Sequence, residues 1–158
     1  MTLIIFFIKF SELEVMGHPR QLGDWRPLIG CMPNNNKKSV LIIDSDNAIV
    51  NDLTKRFKKQ DMVVITAKDG YEGYDRACRE APDLIILEAL LSSTSGFRVS
   101  RLLKFDERFK EIRIIMITSN DLGTVNEMYE ACGADEILRK PFRFKELMEA
   151  ISIERAAQ

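Results

Sequence analysis

Cysteine, histidine and tryptophan are scarce in this 158-residue chain, at three, one and one. Cys31, Cys78 and Cys132 form no C-x-x-C pair and His18 stands alone, so neither a disulfide framework nor a zinc site is written here. A reducing cytoplasm is the expected home. An excess of one charge is missing too: 23 basic residues face 24 acidic ones, for a formal net charge of -1. The basic residues are scattered among the acids, which excludes the electrostatic footprint of a nucleic-acid or anionic-membrane binder and leaves another protein as the expected partner. Long apolar runs are also absent. The stretch from Thr2 to Phe10 is strongly apolar but falls short of the roughly 18–20 residues that cross a bilayer. No basic region precedes it, and Glu12 and Glu14 follow at once, which argues against a secretory signal.

What is present is an ordinary globular composition, 46% hydrophobic and 30% charged, enough for one domain. Residues 17–36 carry Gly17, Pro19, Gly23, Pro27, Gly30 and Pro33 and then three asparagines, which breaks both helix and strand periodicity. Residues 1–36 are therefore expected to form an extension and linker, and residues 37–158 the domain. For residues 1–31 the expectation is poorly ordered sequence upstream of a start at Met32, with a docked accessory strand as the alternative. A short β-prone segment without a partner strand is an aggregation hazard that natural domains cover or avoid.

From Lys38 onward, short apolar runs alternate with amphipathic stretches five times. The central run is Leu84-Ile85-Ile86-Leu87, bounded by Pro82-Asp83 and ending abruptly on Glu88, the pattern of a strand buried on both faces. Val40–Ile43 reads as a first strand ending on Asp44. Asp46 can cap the next helix, whose Ile49, Leu53 and Phe57 share a face. Met62–Thr66 is a second strand. Asp69 and Glu72 have the spacing of a capping box, opening a helix that turns Tyr74, Ala77 and Cys78 inward. A loop from Ala89 to Ser95 leads to a helix from Gly96 or Phe97 to about Lys104, packed on the sheet through Leu102 and Leu103. Ile112–Ile117 is the fourth strand, ending on Thr118. A helix over roughly Leu122–Cys132 is stopped by Gly133, and Glu136–Arg139 is the fifth strand. After Lys140-Pro141 a last helix, from about Phe142, buries Phe144, Leu147 and Ile151.

Five such units predict an α/β fold with a single doubly wound, five-stranded parallel sheet, because right-handed crossovers distribute the helices over both faces. With strand order 2-1-3-4-5, Asp44, Glu88, Thr118 and Lys140 converge at one carboxyl edge, where ligands gather in such sheets.

These residues resemble the receiver domain of two-component response regulators, a flavodoxin-like fold, over residues 38 to about 156. The likeness rests on Leu41-Ile-Ile-Asp44, Pro82 to Leu87 with Gly96-Phe97 eight residues past Glu88, Ile114 to Thr118, and Gly133-Ala-Asp135 running into Lys140-Pro-Phe142. The resemblance implies a phosphoacceptor aspartate where this chain has Glu88. It implies an acidic pair holding Mg²⁺ where this chain has Asp44 and Ser45, with Asp46 one residue too late. The backbone carbonyl of Leu90 would be a further metal ligand, so an intact metal site would use Asp44, Glu88 and Leu90. The proline such domains usually carry is Ser92 here. Thr118 and Lys140 match the phosphate-contacting hydroxyl and lysine, the bond before Pro141 is expected to be cis, and the aromatic switch position is Ile137.

Each departure has a consequence. Glutamate reaches one methylene farther than aspartate, and a misplacement of about 1 Å can cost roughly 10²-fold in rate. A neutral Ser45 hydroxyl weakens a Mg²⁺ site that is commonly built on one or two carboxylates. The expectation is a pseudo-receiver with no catalytic residues and no firmly bound cofactor, held in one state by a Glu88–Lys140 ion pair and working through protein contacts. Resemblance makes the partner a histidine kinase, phosphotransfer or output protein, or a second copy, met on the face of the fourth helix, fifth strand and fifth helix, which carries Met128, Tyr129, Arg139 and Lys145. The alternative is a working phosphoacceptor that uses Mg²⁺ and another acid or hydroxyl, with Asp46 swinging in as ligand. Flavin binding is disfavoured, since the acids after Ile43 would repel a phosphate.

Overall fold

The computed structural model describes residues 37–92, 94–121 and 128–152. The expectations for residues 1–36, for the start of the helix at Leu122 and for the chain beyond Ser152 lie outside them.

Sequence order gives β1 (Ser39–Ile43), α1 (Asn47–Lys59), β2 (Val63–Ala67), α2 (Gly70–Glu80), β3 (Leu84–Glu88), α3 (Gly96–Lys104) and β4 (Arg113–Thr118). Residues 128–132 are helical and are called α4; β5 (Glu136–Arg139) and α5 (Phe144–Ser152) follow. All strand pairs are parallel, in the order β2-β1-β3-β4-β5.

Aliphatic strands need cover on both faces, and their two-residue alternation divides the core in two. Leu41, Ile43, Ile85, Leu87, Ile114 and Met116 pack with Ala77 of α2, Val99 and Leu103 of α3 and Cys132 of α4. Val40, Ile42, Leu84, Ile86, Ile115 and Ile117 pack with Leu53 and Phe57 of α1 and Leu147 and Ala150 of α5. Phe57 meets Phe144 edge to face, with ring centroids 5.4 Å apart.

The helix starts predicted at Asp46 and Asp69 form as written. Asp46 accepts the Ala48 N–H at the head of α1. Asp69 accepts the Tyr71 and Glu72 N–H groups while Glu72 reaches back to the Lys68 N–H, a reciprocal capping box. Gly133 ends α4 at φ +70, where a Cβ would be strained.

Three expectations need correction. Leu102 is 47% exposed whereas Leu103 is fully buried, because successive helical residues are about 100° apart and both cannot face the sheet. The first strand starts one residue earlier than expected, at Ser39, and the second and fourth one residue later, at Val63 and Arg113, leaving Met62 and Ile112 as half-buried and buried lead-in residues. The last helix opens at Phe144 instead of Phe142: Glu146 takes the Arg143 N–H at 2.8 Å, which fixes the start after Pro141. Within α5, Leu147 is fully buried and Phe144 and Ile151 pack half-buried beside it.

Candidate functional site

Register brings the predicted polar residues to one edge. Ile43 pairs with Leu87, Glu88 with Ile117, and Thr118 with Arg139, so Asp44 and Glu88 occupy one level and Thr118 and Lys140 flank it. Backbone bonds extend the ladder past the strand ends: Asp44 N–H to the Ala67 carbonyl, Ala89 N–H to Ile117 and Lys140 N–H to Thr118. The Lys140–Pro141 peptide bond is cis, as expected.

Alternation then sorts the side chains. Asp44, Glu88 and Lys140 fall in step with Ile42, Ile86 and Leu138, on the side of α1 and α5; Thr118 falls in step with Met116, on the other side. Asp44 is 2% exposed, Glu88 7% and Thr118 not at all. The Lys140 ammonium donates to Asp44 Oδ2 at 2.7 Å and also to Glu88 Oε2. The remaining carboxylate oxygens are taken as well. Asp44 Oδ1 accepts the Asp46 N–H at 2.8 Å, and Glu88 Oε1 accepts the Leu90 N–H at 3.1 Å.

Thr118 Oγ1 accepts the Asn120 N–H at 3.1 Å, and no hydrogen bond joins it to Glu88 among the described residues. One local device therefore recurs at three strand ends: an oxygen of residue i accepts the N–H of residue i+2. That device turns the chain away from the sheet and leaves one oxygen on each acid for the lysine.

The other predicted positions stand apart from this cluster. Ser45 and Asp46 are exposed, and Asp46 Oδ1 is committed to capping α1. Leu90 is 49% exposed and contributes its N–H to Glu88. Ile137 is half-buried against the core under α2, α3 and α4. Two features were not foreseen: Lys140 reaches Asp44 as well as Glu88, and the Leu90 N–H is bonded to Glu88. Both follow from short reach between adjacent levels, which the strand ends signalled only by position. A cation bound here would have to draw on the carboxylate oxygens of Asp44 and Glu88, all four of which already accept hydrogen bonds, with the Leu90 carbonyl as the further ligand that the resemblance implies. No three His, Cys, Asp or Glu side chains gather at metal-binding spacing among the described residues.

Burial alone would lower the Lys140 ammonium's pKa, but the hydrogen bonds and charges of Asp44 and Glu88 outweigh it and the net shift is upward. A raised folded pKa means that the stabilisation is complete below the ordinary lysine value of about 10.4 and disappears as pH climbs through the higher folded value. Urea titrations between about pH 8 and 11 should show the difference in stability between the wild type and Lys140→Met shrinking only at the alkaline end.

Residues 40–152 match the family model described as the response regulator receiver domain. The chain is 34% identical over 114 residues to the DNA-binding dual master transcriptional regulator RpaA of Synechocystis, covering 71% of this chain and 46% of that protein. It is 30% identical over 112 residues to protein PilG of Pseudomonas aeruginosa, covering 71% of this chain and 83% of that one. Among solved structures, Vibrio cholerae chemotaxis protein CheY4 superposes with TM-score 0.67 at 24% identity, over 73% of this chain and 96% of CheY4. The BeF3-activated DrrB receiver domain gives 0.64 at 25%, over 73% and 94%. The chain belongs to the response regulator receiver domain family and is a receiver-type signalling module of two-component systems. It spans less than half the length of RpaA and of the PhoP regulator of Bacillus subtilis, to which it is also similar. Among the described residues no helix is long and apolar enough to cross a membrane.

Proposed function

We propose that this receiver works without phosphorylation, as a cytoplasmic protein-interaction module with no catalytic turnover of its own. The observation that carries the reading is the Lys140 ammonium bridging Asp44 and Glu88, with each remaining carboxylate oxygen holding a backbone N–H. In the family that lysine pairs with a phosphoryl group. Here Glu88 already supplies a negative charge and two acceptor oxygens, against about -1.5 to -2 and three oxygens for a phosphoryl group.

The donor set fits Mg²⁺ poorly. Octahedral coordination would have to draw on two acids that share one ammonium, a neutral Ser45 and an Asp46 turned to a helix cap. Phosphoryl transfer depends almost wholly on positioning and charge neutralisation, so weak metal binding and an over-long acceptor act in the same direction. The same cap argues against the alternative in which Asp46 swings in, since that motion would give up the bond that starts α1. Histidine kinase, phosphotransfer or output proteins, or a second copy meeting the α4–β5–α5 face, are the partners this reading implies.

Amide NMR spectra recorded while Mg²⁺ and beryllofluoride are added test it. The Leu90, Asn120 and Lys140 signals are expected to move no more than in a salt control, and saturable shifts at those three would reject the reading.

A further inference from the structure

Six large apolar side chains are exposed among the described residues, and three of them, Leu102, Phe105 and Met128, line one groove between α3 and α4. Phe105 is 73% exposed. Isolated surface leucines are ordinary, but neighbouring exposed apolar groups in a concave site mark a docking surface. The pattern along the α3 wall is regular: Arg98, Arg101, Leu102 and Phe105 are spaced i, i+3, i+4 and i+7, a single stripe that carries both guanidinium and apolar groups.

Charge at this groove is unbalanced. Arg101 lies over the Phe105 ring, 5.8 Å from its centroid, and neither Arg98 nor Arg101 reaches a carboxylate among the described residues. The acids of the same rim are engaged by their own neighbours: Asp106 by Arg108 and Glu107 by Lys110, each at 2.6 Å. Among the described residues, what remains is an apolar strip flanked by two cations with no carboxylate partner.

We propose that the α3–α4 groove docks an acidic amphipathic helix of a partner protein, its apolar side chains against Leu102, Phe105 and Met128 and its carboxylates against Arg98 and Arg101. A helix laid along a stripe of this spacing offers matching contacts every turn. The groove shares α4, and with it Met128, with the α4–β5–α5 face, but its α3 wall of Arg98, Arg101, Leu102 and Phe105 lies outside that face. It lies on the opposite face of the sheet from the Asp44–Glu88–Lys140 cluster.

The test uses the ¹⁵N-labelled full chain and a side-chain-stapled helical peptide with leucines along one stripe and glutamates beside them. Saturable amide shifts confined to residues 98–105 and 128–132 are expected. Affinity should fall about tenfold in Arg98→Glu/Arg101→Glu and in Leu102→Ala, and should be unchanged in Lys55→Glu, at an exposed position of α1 on the other face of the sheet. It should also weaken as salt rises. The groove substitutions are at solvent-facing positions, and an unchanged spectrum of the unbound variants shows that the fold is intact. The proposal is overturned by shifts that are absent or lie elsewhere, or by equal binding of a peptide with lysines in place of the glutamates. Concentration-dependent shifts of the groove residues without peptide would overturn it as well, by making a second copy the occupant.

Discussion

Lys140→Ala is expected to lower the unfolding free energy by about 3–5 kcal/mol, the usual cost of deleting one member of a buried ion pair. The side chains concerned are 13% exposed for Lys140, 2% for Asp44 and 9% for Glu88. Removing the ammonium leaves two carboxylates side by side with no countercharge among the described residues, each holding only one backbone N–H. Glu88→Gln should cost less, because Lys140 retains Asp44 and the amide oxygen can still accept the Leu90 N–H. The triple substitution Asp44→Asn/Glu88→Gln/Lys140→Met should recover most of the loss, since buried ion pairs are often no better than neutral groups of similar volume. Urea unfolding with an unchanged m-value measures the series. Equal stability of Lys140→Ala and the wild type would mean that the ammonium is solvated and the cluster open.

Gly96→Ala is expected to cost at least the upper part of the roughly 1–3 kcal/mol typical of overpacking. A Cβ at residue 96 would overlap the Glu88 carbonyl oxygen and lie 3.0 Å from its carbon and 3.1 Å from the Ala89 Cα. All three are backbone atoms, so no side-chain rotation relieves the clash. The Gly96 N–H also bonds the Ala89 carbonyl at 2.9 Å, which pins the loop end beside the end of β3. The displaced backbone is that of Glu88 itself, so the amide signals of Leu90 and Lys140 should shift along with the loss of stability. A destabilised variant with those signals unmoved would separate the packing of the loop from the geometry of the site.

The sheet and its order were legible because each central strand is a run of aliphatics that stops on a polar residue, and parallel sheets bury such runs on both faces. Asp44, Glu88 and Lys140 could be brought together from that alone. Thr118 shows where strand position runs out: it ends its strand like the others, but alternation turns its side chain toward the Met116 side, and its hydroxyl accepts the Asn120 N–H instead of meeting Glu88. Leu102 failed for a related reason, since two adjacent leucines in a helix carry no mark of which one faces the core. The second bond from Lys140 to Asp44 depends on side-chain reach between levels, which spacing does not encode.

A second buried ion pair was hidden altogether. Lys104 at the end of α3 meets Asp135 at 2.6 Å, and Asp135 also takes the Ile114 N–H at 2.7 Å, tying α3 to the start of β4. In the sequence Asp135 figures only within Gly133-Ala-Asp135, with nothing to name a partner 31 residues away.

Incubating the protein with acetyl phosphate and Mg²⁺ and weighing it intact decides whether the lysine that would steady a phosphoryl group is already held by the two acids. Ser45→Asp/Glu88→Asp, which restores the acids the family uses, serves as the comparison. No phosphorylated wild-type species is expected. Stoichiometric acyl phosphate on the wild type, at Glu88 or any other residue, would mean that the two acids leave Lys140 and the pocket open to a phosphoryl group.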